Sequence, residues 1–153
     1  MTPQEIIDQA ITQEGASQVF GMFSGGHDSL CSTHLASQHP QFKAAVHINT
    51  GIGIEETREF VRATCRQFHW PLIELHPQKM TYRTFVLKFG FHGPGFHRYI
   101  YRWLKDHSID KLVRDQKHHR RDRLALVTGV RLQESRRRMG YVQPLQCQGA
   151  KVW

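Results

Sequence analysis

A chain that breaks a buried strand on a pair of glycines and restarts at once as a helix has few folds open to it. Residues 20–36, FGMFSGGHDSLCSTHLA, do this. Ser17 to Phe23 reads as a buried strand, and Asp28 to Gln38 reads as a helix stopped by Pro40. Between them lies Ser24-Gly25-Gly26-His27-Asp28-Ser29. Gly25 and Gly26 reach backbone angles closed to other residues and let the main chain approach a ligand. The amides from Gly25 to Ser29 then converge with the positive end of the helix, which makes an anion cradle, and Ser24 and Ser29 add hydroxyl donors. Stripped of their setting, these residues form a Gly-Gly turn with Asp28 as a helix cap. The strand before, the helix after and both serines favour the cradle. The Walker A spacing GxxxxGK[ST] is absent.

The rest of the chain repeats the alternation. Thr2, Pro3 and Glu5 predict a capped first helix with Ile6, Ile7, Ala10 and Ile11 on one face, ended by Gly15. Lys43 to Asn49 reads as a second strand and Pro71 to Leu75 as a short third. Between them, Glu55 to Phe68 predicts a helix with Phe60, Val61, Thr64, Cys65 and Phe68 on its core face and Arg58, Glu59, Arg62 and Arg66 toward water. Thr81 to Asp122 reads as helical with a break at FGFHGPGF, where Tyr99, Ile100, Trp103 and Leu104 fall at core spacing. Its glycines and Pro94 predict a loop beside a cleft, with His92, His97, Arg98 and Lys105 in reach of a substrate. Leu124 to Thr128 is a fourth strand, and a loop begins at Gly129. The pattern predicts an α/β fold: a three-layer, doubly wound parallel sheet, Rossmann-like, in one domain spanning residues 1–153.

The 153 residues carry a formal charge of +8, which favours polyanionic partners such as nucleotides or nucleic acid. The charge runs are HHRRDR at 118–123 and RRR at 136–138. No apolar run approaches membrane-spanning length, and the first fifteen residues have no signal-peptide core, so the expected location is the cytoplasm without membrane contact. Cys31, Cys65 and Cys147 are far apart and odd in number, as expected of reduced thiols. The histidines fit no standard zinc spacing, and no metal site is assigned to them.

SGGHDS resembles the SGGxDS loop of the PP-loop ATP pyrophosphatases, in the adenine nucleotide alpha-hydrolase superfamily. Two further stretches narrow the resemblance to phosphoadenosine phosphosulfate (PAPS) reductases and their relatives. INTGIGIEET, Ile48 to Thr57, resembles their DTG…ET segment, and GVRLQESRRR, Gly129 to Arg138, resembles their GxRxxESxxR loop. The three motifs stand in family order, each after a predicted strand.

The resemblance implies that Ser24, Gly25, Gly26, Asp28 and Ser29 hold the phosphates of an adenine nucleotide. It implies that main-chain groups around His47 to Asn49 read adenine, with Thr50 and Gly51 beside the ribose. Glu55, Glu56 and Thr57 open the next helix, as site residues or as plain complements to its dipole. His27 fills the variable slot of the loop, against phosphate or toward solvent. From the third motif, Gly129, Arg131, Glu134, Ser135 and Arg138 carry over. Arg131 and Arg138 offer guanidinium forks to phosphate or sulfate oxygens, Glu134 orients an arginine, and Asp28, Arg131 and Arg138 are the candidate catalytic residues. Asn49 replaces the aspartate usual in its motif; it keeps an acceptor but loses the charge.

Two activities of the family compete. Sulfonucleotide reduction needs a nucleophilic thiolate, supplied in relatives by a C-terminal ECGLH-like segment that does not occur here. The iron–sulfur version needs four cysteines against the three present, so no cluster is expected. An ATP pyrophosphatase would instead adenylate an acceptor for sulfur or related transfer, with Mg2+ bridging the phosphates. The acceptor would be a nucleic acid or a partner protein. A third reading is a nucleotide-binding subunit without catalysis, acting with a partner or as a homo-oligomer. QPLQCQGAKVW resembles the stretch from which family members continue into further helices, an extension not expected here.

Overall fold

The computed structural model describes residues 1–130 and 143–153. The capping box at Thr2 and Glu5 starts α1 (Pro3–Thr12), which lays Ile7 and Ala10 against the sheet. Then follow β1 (Ala16–Met22), α2 (His27–Ser37), β2 (Phe42–Ile48), α3 (Glu55–Gln67) and β3 (Leu72–Leu75). The next stretch holds α4 (Tyr82–Phe89), a 3-10 turn at Pro94–Phe96 and α5 (His97–Tyr101). A π-helical segment, Arg102–Asp106, leads into α6 (His107–Gln116), and β4 (Arg123–Val127) returns to the sheet. The chain closes on β5 (Cys147–Gln148) and β6 (Lys151–Val152).

Among the described residues, six strands form one sheet in the order β3-β2-β1-β4-β6-β5. β1 pairs with β2 and β4, β2 with β3, and β4 with β6, all in parallel. β5 lies antiparallel to β6. Strand residues alternate between two cores. Phe20, Val46, Leu124 and Leu126 face Ile109 and Leu112 of α6, whereas Val19 and Ala125 face α1 and α2. Phe23 and Ala45 join Val61 and Cys65 of α3 on the second side. Helices therefore cover both faces, and β1 and β4 bury residues on both, as expected of parallel strands. The predicted three-layer doubly wound architecture is present; the β5–β6 hairpin makes the sheet mixed rather than wholly parallel.

Two helical faces differ from expectation. Phe60 and Phe68 are exposed, at 46% and 41%. A turn after α3 stacks Phe68 on Trp70 with ring centroids 4.8 Å apart, and Trp70 takes the core position against Phe23. Arg58, expected toward water, is folded into a polar cluster. Of the four residues expected as core near α5, Ile100 and Leu104 are buried, Trp103 is half-buried and Tyr99 is 62% exposed. The π-helical segment begins just after Tyr101 and shifts the facing of successive side chains.

Thr33 of α2 is fully buried, and its hydroxyl finds no hydrogen-bond partner among the described residues. An unsatisfied buried hydroxyl destabilises by about 1–3 kcal/mol. Thr33→Val keeps the shape and removes that cost, so it should raise unfolding stability by about 1 kcal/mol in urea titrations; a loss of stability would show that the hydroxyl has a partner.

Candidate functional site

The strand order places β2 and β3 on one side of β1 and β4 on the other, so the winding reverses at β1. In open α/β sheets ligands bind at the carboxyl ends of strands where the order reverses. The residues that leave β1 there are Ser24 to Ser29.

Gly25 has φ +94°, a conformation that side-chain-bearing residues rarely adopt. A Cβ on it would lie 2.8 Å from Thr57 Cγ2 and 3.3 Å from Val61 Cγ2. The loop is thus pressed against the first turns of α3. Gly26 stands at the N-cap of α2 and supplies no side-chain cap. The first intrahelical bond runs from Leu30 N to Gly26 O, at 2.9 Å. A helix's first amides have no acceptor within the helix, so an uncapped first turn is disposed to take an anion.

The two serines shape the loop from within. Ser29 Oγ, buried, donates to Gly26 O at 2.8 Å and accepts from Ser24 N at 3.2 Å. Its single proton is used by Gly26, so in the 2.9 Å contact between the two hydroxyls Ser24 donates. Ser24 itself is exposed, and so is His27. Asp28 is half-buried in the first turn.

The beginning of the third motif meets the first. A Cβ on Gly129 would fall 2.4 Å from the carbonyl oxygen of Asp28 and 2.9 Å from Ser29 N. Only a glycine lets the end of β4 approach the first turn of α2 this closely. Arg131, Glu134, Ser135 and Arg138, the remaining candidates of that motif, lie outside the described residues.

The second motif is joined to the loop by His47. Its buried ring places Nδ1 2.9 Å from Phe23 O. A carbonyl only accepts, so the proton is on Nδ1 and the imidazole anchors the residue just before Ser24. At the end of β2, Asn49 N donates to Leu75 O at 2.8 Å. Asn49 Oδ1 accepts from Gly51 N at 3.1 Å and closes the turn in which Gly51 has φ +78°. Thr50 is half-buried at this turn, and its hydroxyl accepts from Ile52 N at 3.5 Å.

Asn49 Nδ2 donates to Glu74 Oε1 at 2.9 Å, and Arg62 binds Glu74 through two further bonds of 3.0 and 2.9 Å. Arg62 also reaches Glu55, which pairs with Arg58, and Arg58 donates to Gly53 O at 2.8 Å. Bonding to Arg62 draws the Glu74 carboxyl down to about 2, and Asn49 contributes in the same direction. Bonding to Arg58 likewise lowers Glu55. The departure from aspartate at position 49 therefore has a local reason: a carboxylate there would face Glu74. Glu74 and Arg62 were not picked out from the sequence as site residues. The legible signal was a charged residue inside the strand Leu72–Leu75.

Two of the three thiols are withdrawn from the loop or from solvent. Cys65 is buried, which pushes its thiol up to about 11. Cys31 is exposed on α2. Cys147 donates to Glu14 Oε2 at 2.9 Å, and Glu14 also binds Arg123 at the start of β4. That is the amino edge of the sheet, about 20 Å from the loop by strand rise. The same edge carries a cleft of about 430 Å³ lined by Arg114, Lys117 and Arg120. There the HHRRDR run folds around Asp122, whose carboxylate accepts from the amides of His118 and His119. No group of three or more His, Cys, Asp or Glu suited to a metal occurs among the described residues. No helix among them is long and apolar enough to cross a membrane.

A glycine loop at the winding reversal of such a sheet, with the tips of β2 and β4 gathered around it, defines the nucleotide-binding α/β class of the adenine nucleotide alpha-hydrolases. The family model of the phosphoadenosine phosphosulfate reductase domain matches residues 18–144, and the chain belongs to that family. Among solved structures it is similar to phosphoadenylyl-sulfate (PAPS) reductase from Candida auris, a phosphate complex, at 12% identity and a TM-score of 0.64. The match covers 99% of this chain and 70% of that one, and at this identity it bears on the fold. No curated protein sequence matches the chain.

The Glu74 cluster yields a pH-dependent prediction. With its carboxyl lowered from 4.5 to about 2, the stability that Glu74 contributes is complete above about pH 4.5 and is lost as pH falls toward 2. Asn49→Asp sets two carboxylates in contact and raises the pKa of the pair. The variant should be about 1–2 kcal/mol less stable than the parent at pH 7, and the gap should narrow as pH falls through the raised pKa. Denaturant titrations at several pH values check this; equal stabilities at pH 7 would contradict the contact.

Proposed function

We propose that the chain binds ATP with its phosphates on Ser24 to Ser29 and transfers the adenylyl group to an acceptor oxygen, releasing pyrophosphate. The carrying observation is the first turn of α2, whose N-cap Gly26 supplies no side-chain cap, set beside the positive-φ Gly25 and the Ser24–Ser29 pair. The similar PAPS reductase structure is a phosphate complex, which supports an anion on this fold.

In this reaction an acceptor oxygen attacks the α-phosphorus. The bond from that phosphorus to the bridging oxygen breaks, and the electron pair leaves with pyrophosphate. The acceptor's proton passes to solvent or buffer. Loop amides bind the leaving pyrophosphate, where charge grows as the bond opens. Arg131 and Arg138 are assigned to the remaining phosphoryl oxygens. The backbone at Asn49 to Gly51 holds the nucleoside, and His47 fixes the loop's entry through Phe23 O.

The donor set fits a magnesium ion that arrives with the nucleotide. Such ions take one or two carboxylates and substrate phosphates rather than a protein cage, and Asp28 stands at the loop. Asp28 and the loop hydroxyls are the residues to hold it; when bound it neutralises phosphate charge.

Family membership keeps sulfonucleotide reduction as the second reading. It requires a reactive thiolate beside the loop. Cys147 at the opposite edge and the buried Cys65 weigh against it.

Incubation with α-labelled ATP, Mg2+ and candidate acceptors should yield AMP or an adenylylated acceptor together with pyrophosphate. Ser29→Ala removes the acceptor of Ser24 N, and Asp28→Ala removes the loop carboxylate; each should lower ATP affinity or turnover by about tenfold or more. Release of sulfite from PAPS with a thiol donor, and no pyrophosphate from ATP, would establish the second reading instead.

A further inference from the structure

Between Glu74 and Asp106 the chain contains no acidic residue. The same stretch holds six lysines and arginines, Lys79, Arg83, Lys88, Arg98, Arg102 and Lys105, and eight aromatic residues. Thirteen acids are spread over the whole chain, so the gap is a local exclusion of negative charge.

The structure gathers this stretch into α4, α5 and the π-helical segment, with a small core of its own made by Phe85, Ile100 and Leu104. Tyr82 packs against this core and Phe89 meets Phe85 at 5.1 Å between centroids, yet most of the other rings keep much of their surface in solvent. Phe91 is 87% exposed, and Phe89, Phe96, Tyr99 and Tyr101 are all more than half exposed. Cations stand among them: Lys88 Nζ is 5.4 Å from the Phe89 centroid and Lys105 Nζ is 5.2 Å from that of Tyr101. Arg83, Lys88, Arg102 and Lys105 meet no carboxylate among the described residues.

Location adds to composition. The stretch leaves β3 at its carboxyl end, and β3 is separated from β1 only by β2. It rises from the same edge of the sheet as the glycine loop, about 10 Å away by strand spacing. The basic cleft at Arg114 to Arg120 is on the far edge.

We propose that the exposed rings and cations of Tyr82 to Lys105 form a docking surface for single-stranded nucleic acid, presenting it to the glycine loop as the acceptor. The acceptor role rests on the adenylation reading; the binding surface does not. Flat exposed rings stack on bases of any sequence, and interleaved cations pair with the phosphates between them. A second copy of the chain is disfavoured because it would bring two acid-free, cationic surfaces together. The exposed apolar groups are rings, with Leu87 the large aliphatic side chain among them, which suits bases better than acyl chains.

The test uses the full chain with fluorescein-labelled RNA and DNA single strands about 12 nucleotides long, the matching duplexes, and phosphatidylserine vesicles. A single strand should bind about tenfold or more tightly than its duplex, and the RNA and DNA arms show which sugar is preferred. The double variant Phe91→Ala/Phe96→Ala should weaken strand binding by about tenfold or more, while Arg83→Ala/Lys88→Ala should lower the salt slope by about 0.7 per lost phosphate contact. Both should leave ATP affinity unchanged. Equal binding of strand and duplex, parental affinity in the ring variant, or capture by vesicles without strand binding would overturn the proposal. Strand binding through the rings without ATP binding would uphold the surface and sink the adenylation reading; ATP binding without strand binding would do the reverse.

Discussion

The end of β4 and the first turn of α2 are in backbone contact, and the rest of the site is arranged around that contact. Gly129 sits where any Cβ would meet the carbonyl of Asp28 at 2.4 Å. A backbone neighbour cannot rotate away as a side chain can, so this approach fixes the separation of the two strand tips on either side of the winding reversal. On the opposite flank, Gly25 is held against Thr57 and Val61, which ties the loop to α3. His47 fastens its entry from below through Phe23 O. The loop is therefore constrained from β4, α3 and β2 at once, while the N-cap glycine of its own helix supplies no side-chain cap. Preorganised amides of this kind bind charge without further ordering, which is the condition for useful stabilisation of a leaving phosphate.

Much of this was legible in the sequence because it depends on local rules. A strand, two glycines and a helix can be read from hydrophobic pattern and backbone freedom, and the boundaries of β1, α2, β2 and α3 fall within a residue or two of expectation. What could not be read depended on residues distant in the chain. Nothing near Asn49 says that Glu74, 25 positions on, will face it, or that Arg62 will hold that carboxylate in place. The same limit applies to Phe60, Phe68 and Tyr99, whose helical spacing marks a face but not what covers it. The short β5–β6 pair carries too little periodic signal to be recognised before the sheet edge that receives it is known.

Charge is divided between two edges of the molecule. At the amino edge the HHRRDR run is partly folded on itself around Asp122, and Cys147 is tied to Glu14. At the carboxyl edge Arg83, Lys88, Arg102 and Lys105 meet no carboxylate among the described residues and stand near exposed rings. A net charge of +8 alone marks a preference for anions without locating it. In the docking proposal, the placement of β3 and the helices after it gives that preference a position at the same edge of the sheet as the glycine loop.

The central claim is that an anion is held by the amides between β1 and α2. Titrating ATP into 15N-labelled protein and following backbone amide shifts tests it most directly. The account predicts the largest shifts at Gly25 to Ser29 and at Gly129, with the amides of β5 and β6 unmoved. Shifts confined to the basic cleft at Arg114 to Arg120, with the loop amides unchanged, would contradict it.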